Sequence, residues 1–154
     1  LTGINNHLHL QVFLKMKIRN ASEKNTFGAI IVDIDRFKEI NDKFGHGVGD
    51  EALKDAVGIL RDSLRRDDFI ARFGGDEFII IIDVDNFKVL EDAVNRIKDS
   101  VRRFNKVDDK PYNISFSMGY DIYKTFERMS YEDYLDHLDK LMYEDKRVNR
   151  ITRD

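Results

Sequence analysis

Two glycines and two acids interrupt an apolar stretch in the segment ARFGGDEFIIII, residues 71–82. Because glycine tolerates positive φ, Gly74 and Gly75 predict the two-residue turn of a β-hairpin. Asp76 and Glu77 then lie at the mouth of that hairpin, where their carboxylates are available for chemistry. An isolated pattern of this kind is more often an ordinary turn with a solvated acidic flank. The surrounding residues have to distinguish the two interpretations.

A second pair of acids ends the apolar segment AIIVDID, residues 29–35. Side chains alternate along a strand, so Asp33 and Asp35 share one face while Ile34 points to the other. If this strand lies beside the hairpin, Asp33 and Asp76 converge at one edge of the sheet. Carboxylates suit Mg²⁺, which commonly bridges one or two of them to substrate phosphates. The two acids therefore predict metal-assisted phosphoryl or nucleotidyl transfer on a nucleoside triphosphate.

Hydrophobic periodicity predicts the elements that must position these acids. The mixed order of helices and strands, with one hairpin, favours an α+β fold in which helices flank a central, largely antiparallel sheet. Asp50 is the predicted N-cap of the third helix, and the predicted inward stripe of the first helix is Leu8, Val12, Met16 and Ile18. The predicted helices cover residues 6–19, 37–44, 51–64, 90–104 and 131–148, and the predicted strands cover residues 27–34, 69–73, 77–82 and 114–120.

Composition favours one compact domain, since 154 residues with 42% hydrophobic content can bury a core. The chain has no cysteine, which excludes disulfides and Cys-ligated zinc and suits a cytoplasmic location. A net charge of −3 argues against a nucleic-acid partner. The longest apolar run, residues 78–82, is far shorter than the roughly 20 residues of a membrane span, so this segment is not expected to contact a membrane. The start at Leu1, without methionine, predicts a domain excised from a longer multidomain protein, and leaves a membrane anchor elsewhere in it open.

The string DIDRFKEINDKFGHGVGDEAL, residues 33–53, together with RFGGDEF resembles the GGDEF domain of diguanylate cyclases. LTGINN at the start is similar to the family's LTGLxNR, SFSMGY to its late SxG strand, and DKLMYEDKR to its DxALYxAK helix. The resemblance spans almost the whole chain, and implies a single GGDEF domain over residues 1–154 with a ferredoxin-like, nucleotidyl-cyclase core. Two positions depart from the pattern: His7 replaces an arginine, and DKRVNR, residues 145–150, stands where the family has AKxxGR.

The resemblance implies an enzyme that condenses two GTP molecules into cyclic di-GMP and releases two pyrophosphates. Each half-site holds one GTP, so a homodimer is needed for catalysis. The implied cofactor is Mg²⁺, with Mn²⁺ as an alternative, bound by Asp33, Asp76 and the backbone carbonyl of Ile34. Asp76 is also the implied base toward the ribose 3′-hydroxyl. Glu77 is a further catalytic residue whose role the sequence leaves open.

The family's guanine-reading positions correspond to Asn41 and Asp50. The chemistry agrees, because a carboxylate accepts from guanine N1–H and N2–H₂ and an amide both donates and accepts. Adenine offers no such pair of donors, which disfavours a cyclase that makes another cyclic nucleotide. His46 matches the histidine of the family's GHxxGD and is predicted to line the base pocket, although a lone histidine beside glycines is otherwise an exposed loop residue.

Phosphate binding is implied for Lys38, Lys146 and Arg150, together with the backbone N–H groups that follow the first strand. For the two residues on the last helix, a solvated helix end that complements the helix dipole is the alternative. Gly74 and Gly75 are expected to let the substrate approach the backbone closely.

Upstream of the hairpin, Arg65 and Asp68 have the RxxD spacing of the family's inhibitory product site. Arginine can clasp a phosphate and stack on guanine, so the pair could bind cyclic di-GMP as an inhibitor. The alternative is a surface run of charges. For the whole domain, the alternative function is a non-catalytic regulatory module that binds GTP or cyclic di-GMP.

Overall fold

A computed structural model describes residues 3–153 of the chain, with side chains described as far as residue 151. It has an α+β architecture with one four-stranded, entirely antiparallel sheet, as the sequence predicts. The strand order is β2-β3-β1-β4. The strands are β1 Phe27–Ile34, β2 Phe69–Arg72, β3 Glu77–Asp83 and β4 Phe116–Ile122, and the helices are α1 His7–Asn20, α2 Phe37–Phe44, α3 His46–Ser63, α4 Phe87–Val107 and α5 Tyr131–Arg153.

Strand β1 lies inside the sheet and is buried along its whole length. Its alternating side chains divide between two hydrophobic clusters, because the sheet is covered on both faces. Ile30 and Val32 pack in the cluster that includes α3 and α4. Ala29 and Ile31 pack in the cluster that includes α1 and α5. Asp33 continues the second set, so its carboxylate is on the face covered by α5.

Helix α5 packs against β4 at a glycine. A Cβ atom on Gly119 would lie 2.1 Å from the carbonyl oxygen of Leu138 and 2.4 Å from the backbone nitrogen of Met142. No side chain fits there without moving the α5 backbone. The close approach directs the C-terminal half of α5 toward the end of β1. Among the described residues, no helix is both long and apolar enough to cross a membrane.

Helix α3 begins at His46, five residues before the predicted start, and Asp50 is therefore inside the helix and is not its N-cap. The turn from α2 into α3 is made by Gly45 alone, whose φ of 89° is in the left-handed region that favours glycine. The prediction was wrong because it placed both Gly45 and Gly47 between the two helices, whereas Gly47, a weak helix former, lies inside α3. Packing against α2 outweighs that local cost.

The exposed side of α1 also differs from the prediction. Leu10 and Leu14 are fully buried, whereas Leu8, Val12 and Met16 are 65%, 66% and 40% exposed. Both rows of residues have the four-residue spacing of a helix face, so periodicity alone could not select between them. The contact with α5 and the sheet selects the Leu10 row.

The hairpin connection is longer than the predicted Gly-Gly turn. The N–H of Phe73 donates to the carbonyl of Glu77 at 2.8 Å, which leaves three residues, 74–76, between them. Neither Gly74 nor Gly75 has a left-handed φ. The third residue of the connection is Asp76. It pairs with β1, because its carbonyl accepts the N–H of Ile34 at 3.1 Å.

Candidate active site

Two carboxylates face each other across the β1–β3 ladder. Asp33 is directly opposite Glu77 in the antiparallel register. The adjacent ladder bond runs from Ile34 N–H to the Asp76 carbonyl, so Asp33 and Glu77 form a non-hydrogen-bonded pair, whose side chains are closest. Like charges directly opposite each other destabilise a sheet. Packing therefore gives no reason for this pair, and a functional reason is required.

The electrostatics of the pair indicate an excess of negative charge. Asp33 is only 2% exposed. The pKa of Asp33 is raised from 3.8 to about 6, chiefly by burial and also by the charges of Asp76 and Glu77, against an opposing hydrogen bond from Lys146. Burial also raises the pKa of Glu77, with added repulsion from Asp76 and Asp139. A cation bound among these carboxylates would relieve the repulsion.

The donor set fits a magnesium ion in the mode typical of nucleotide enzymes. Asp33 and Asp76 supply carboxylate oxygens. The carbonyl of Ile34 points toward the β3 side, as its N–H does in bonding to Asp76. Within the described part of the chain, no three His, Cys, Asp or Glu side chains converge into a preformed metal cage. Mg²⁺ does not need one, since it usually takes one or two carboxylates and completes its shell with waters and substrate phosphates.

Helix α5 brings a lysine to this centre. The Nζ atom of Lys146 donates to Oδ2 of Asp33 at 2.5 Å. The hydrogen bond raises the pKa of Lys146, so the lysine is firmly cationic. Lys146 and Arg150 also line a small cavity of about 50 Å³ together with Arg36. Lys146 thus contacts a predicted metal ligand, and Arg150 shares a cavity with Lys146.

The third predicted phosphate-binding residue, Lys38, is exposed in the first turn of α2. Arg36, with a left-handed φ of 57°, turns the chain from β1 into α2 within two residues of Ile34. The helix therefore begins immediately after the strand that carries Asp33. The N–H groups of a helix N-terminus suit anionic phosphates.

Gly74 and Gly75 have no structural need to be glycine. A Cβ atom on Gly75 would meet nothing within 4 Å, and one on Gly74 would make only ordinary contacts with Glu77, the nearest at 3.6 Å. The connection is held by Arg72, whose guanidinium donates to the carbonyls of Gly74 at 3.1 Å and Gly75 at 2.6 Å. The open space above the glycines is consistent with close approach of a ligand. Sequence reasoning missed Arg72, although its place before the glycines in RFGGDEF was a usable signal.

The predicted base-reading residues are on two packed helices. Asn41 on α2 is half-buried against α3, and a Cβ atom on Gly49 would lie 1.7 Å from its Oδ1 atom. Gly49 is thus required for the position of the Asn41 amide. Asp50 is the next residue on α3, and it shares an exposed helix face with His46 one turn earlier. The structure therefore brings Asn41 and Asp50 close through one helix contact.

The RxxD residues form a compact turn between α3 and the edge strand β2. The Arg65 N–H donates to Oδ2 of Asp68 at 2.8 Å, and the Asp68 N–H donates to the Arg65 carbonyl at 3.1 Å. Arg65 and Asp68 line a surface cavity of about 360 Å³ with Arg61 and Arg66. The structure groups them apart from the β1–β3 acids, on the opposite edge of the sheet from α5.

Asp35, the second acid of the DID segment, has a different environment from Asp33. Its carboxylate accepts hydrogen bonds from Ser115 and Ser117 of the β4 region and from Asn149 of α5. These hydrogen bonds make Asp35 a junction between the β4 region and α5. Sequence reasoning missed Ser115, Ser117 and Asn149, because about 80 or more residues separate them from Asp35 in the chain.

The start of the chain runs beside β2. Asn5 donates through Nδ2 to the Ile70 carbonyl at 3.1 Å, and its own carbonyl accepts from Arg72 N–H at 2.9 Å. His7, which replaces the family's arginine, packs its ring 4.8 Å from that of Phe73. Leu1 and Thr2 of the LTG motif are outside the described residues.

Comparison with known proteins agrees with this geometry. A family profile described as "Diguanylate cyclase, GGDEF domain" matches residues 1–151. Diguanylate cyclase A of Treponema denticola is 33% identical over 136 residues, which are 86% of this chain and 36% of that protein. Diguanylate cyclase DgcP of Pseudomonas aeruginosa is 32% identical over 152 residues, which are 97% of this chain and 22% of that protein. The chain thus spans about a third or less of these two relatives.

Solved structures show the same architecture. The GGDEF domain of YfiN (TpbB) from Pseudomonas aeruginosa has a TM-score of 0.84 at 28% identity, covering 96% of this chain and 92% of that one. The active GGEEF domain of a Vibrio cholerae diguanylate cyclase has a TM-score of 0.78 at 26% identity, covering 94% and 92%. The GGDEF domain of DgcB from Caulobacter crescentus, solved with c-di-GMP, shares the fold with a TM-score of 0.84 at 24% identity, covering 95% and 87%. This chain belongs to the GGDEF domain family of diguanylate cyclases.

Proposed function

We propose that this domain is a diguanylate cyclase that condenses two GTP molecules into cyclic di-GMP, releasing two pyrophosphates. The observation that carries the proposal is the buried Asp33 carboxylate directly opposite Glu77 and beside Asp76, at a connection left open by Gly74 and Gly75. The activity named for its curated relatives agrees with it. Cyclisation needs two bound GTP molecules facing each other, so two copies of the domain form the complete site.

In the proposed mechanism, Asp33, Asp76 and the Ile34 carbonyl hold Mg²⁺, which when bound neutralises charge on the triphosphate. Asp76 accepts the proton of the ribose 3′-hydroxyl. The freed oxygen forms a bond to the α-phosphate of the second GTP, and the bond to pyrophosphate breaks. A second, symmetric step closes the ring. Most of the catalysis comes from positioning and charge neutralisation, because no covalent enzyme intermediate is needed.

Phosphate and base recognition follow from the neighbouring elements. Lys146 and Arg150 of α5, with Lys38 of α2, supply cations for the β- and γ-phosphates. Asp50 accepts from guanine N1–H and N2–H₂, and Asn41 completes the edge recognition. ATP lacks those donors and would leave the Asp50 carboxylate unpaired, so GTP is the proposed substrate.

Product inhibition is proposed for the turn that carries Arg65 and Asp68. The two residues line a cavity beside Arg61 and Arg66, a cationic setting suited to a phosphate-rich ligand. DgcB of Caulobacter crescentus was solved in complex with c-di-GMP, which supports product binding as a property to test in this chain.

A second candidate function is a non-catalytic module that binds GTP or cyclic di-GMP and regulates an attached domain. The hydrogen bond of 2.5 Å between Lys146 and Asp33 favours it, because the lysine itself neutralises part of the charge of a proposed metal ligand. The excess of carboxylates around Asp33 favours the enzyme, since one lysine does not balance Asp33, Asp76 and Glu77.

Product identification separates the two candidates. The purified domain, at high concentration and also fused to a dimerising coiled coil, is incubated with Mg²⁺ and GTP or ATP, and products are resolved by chromatography and mass spectrometry. Cyclic di-GMP and pyrophosphate are expected from GTP, and no cyclic product from ATP. GTP binding by the folded, dimerised domain without any cyclic di-GMP would reject the enzyme in favour of the binding module.

A further inference from the structure

Helix α5 closes the free edge of the sheet with two side chains. Strand β4 is the edge strand beside β1, and Ser117 pairs with Asp33, so the backbone groups of Phe116 and Met118 point away from the sheet. Oδ2 of Asp145 accepts the Met118 N–H at 2.8 Å. Nδ2 of Asn149 donates to the Phe116 carbonyl at 3.2 Å. These bonds satisfy edge groups that would otherwise depend on water.

Asn149 also connects α5 to the end of β1. Its amide donates to Oγ of Ser117 at 3.0 Å and to Oδ2 of Asp35 at 3.3 Å. Asp35 in turn accepts a hydrogen bond from Ser115 at 2.5 Å. One amide therefore joins the last turns of α5 to both β4 and the residue that follows β1.

The two anchoring residues alternate with the proposed phosphate-binding cations. Asp145 precedes Lys146, and Asn149 precedes Arg150. Asp145 and Asn149 are also the positions at which DKRVNR departs from AKxxGR, and neither alanine nor glycine has a side chain that could make these bonds. The helix continues beyond Asn149 to Arg153.

We propose that Asp145 and Asn149 are positioning residues, which fix the C-terminal turns of α5 so that Lys146 and Arg150 meet the β- and γ-phosphates of GTP. This inference rests on the proposed function. Its physical basis is pre-organisation: a cation held in place loses less freedom when the phosphate binds. The two anchors act through Lys146 and Arg150 and need not touch the substrate themselves.

The test uses hydrogen exchange and ligand affinity on the same proteins. Asn149→Ala removes the donor, and Asn149→Leu also removes it while keeping a similar volume and adding no charge. Amide exchange is measured over residues 146–151, and affinity is measured for GTP with a methylene in place of the α–β bridging oxygen, which cannot release pyrophosphate. We expect faster exchange in both variants and affinity weakened by about fivefold, the effect of one ordinary hydrogen bond. Arg147→Ala is the matched control, since Arg147 is exposed and bonds to Glu144 of its own helix.

A double-mutant cycle shows whether the anchors act through the cations. In a background with Lys146→Ala and Arg150→Ala, the affinity penalty of Asn149→Ala is expected to disappear. A full penalty in that background would overturn the proposal, as would unchanged exchange, or unchanged affinity in the Asn149 variants. Failure of the unaltered domain to bind the analogue would instead overturn the proposed function, and the positioning role with it.

Discussion

Asp33 and Glu77 are directly opposite each other on neighbouring antiparallel strands, with Asp33 almost fully buried. Burial and neighbouring acids raise the pKa of both carboxylates. Sheets are weakened when like charges face each other. The fold thus keeps an unfavourable pair at the end of its central strand, as expected where function limits stability.

Removing one charge of this pair should stabilise the metal-free domain. Glu77→Gln keeps the side-chain size and is expected to raise the free energy of unfolding by up to about 1 kcal/mol, because the repulsion across the strands is lost. Urea unfolding in the presence of a chelator measures this free energy of unfolding. Glu23→Gln, at an exposed loop position, is the control and should change little. Destabilisation by Glu77→Gln would show that the pair is not repulsive in the folded domain.

Magnesium should compete with protons for Asp33. The pKa of Asp33 is raised in the fold from 3.8 to about 6, so the folded state holds a proton more tightly than the unfolded state. This contribution to stability is complete below the unfolded pKa and is lost as the pH rises through the folded pKa. Metal-free stability from this group therefore declines between about pH 4 and about pH 6.

Thermal unfolding with and without Mg²⁺ measures this competition. The rise in the unfolding temperature caused by Mg²⁺ should be larger at about pH 7.5 than at about pH 5, where the proton occupies Asp33. Asp33→Asn should abolish the pH dependence of that rise. An equal rise at both pH values in the unaltered domain would place the metal away from Asp33.

Gly49 should control guanine affinity through Asn41. A Cβ atom at Gly49 would overlap Oδ1 of Asn41, so Gly49→Ala must displace the amide. We expect the KM for GTP to rise by about fivefold or more, as for a lost hydrogen bond. Steady-state kinetics measures it. Gly58→Ala is a matched control on the same helix, since a Cβ there meets nothing within 4 Å. Equal KM values for both variants would separate Asn41 from base recognition.

Arg65 should contribute to product binding. Arg65→Ala removes a guanidinium from the cavity shared with Asp68, and is expected to weaken cyclic di-GMP affinity by about tenfold or more, as for a charged hydrogen bond. Isothermal titration calorimetry measures the affinity. Arg102→Ala, an exposed cation on α4 paired with Asp99, is the control. Unchanged affinity in Arg65→Ala would remove the inhibitory role of this turn.

Local sequence predicted the strand β1 and the faces of Asp33 and Ile34 because alternation is an intrinsic property of a strand. It failed at the start of α3, where the close packing of Gly49 against Asn41 outweighs the low helix propensity of glycine. It also failed on α1, where two rows of apolar residues have the same spacing. The junction at Asp35 was not predictable from local patterns, because its partners are distant in the chain.

The central claim is that the acids at the β1–β3 end carry the chemistry, and Asp76→Asn tests it most directly. This change keeps the size of the side chain, removes the carboxylate proposed as metal ligand and base, and leaves the core intact, since Asp76 is a partly exposed residue of the hairpin connection. Cyclic di-GMP formed from GTP and Mg²⁺ is quantified by mass spectrometry for the dimerised domain and its variant. We predict abundant product from the unaltered domain and, with folding retained, a loss of at least about a hundredfold in Asp76→Asn, the scale of lost acid–base catalysis. Equal product from both would contradict the assignment.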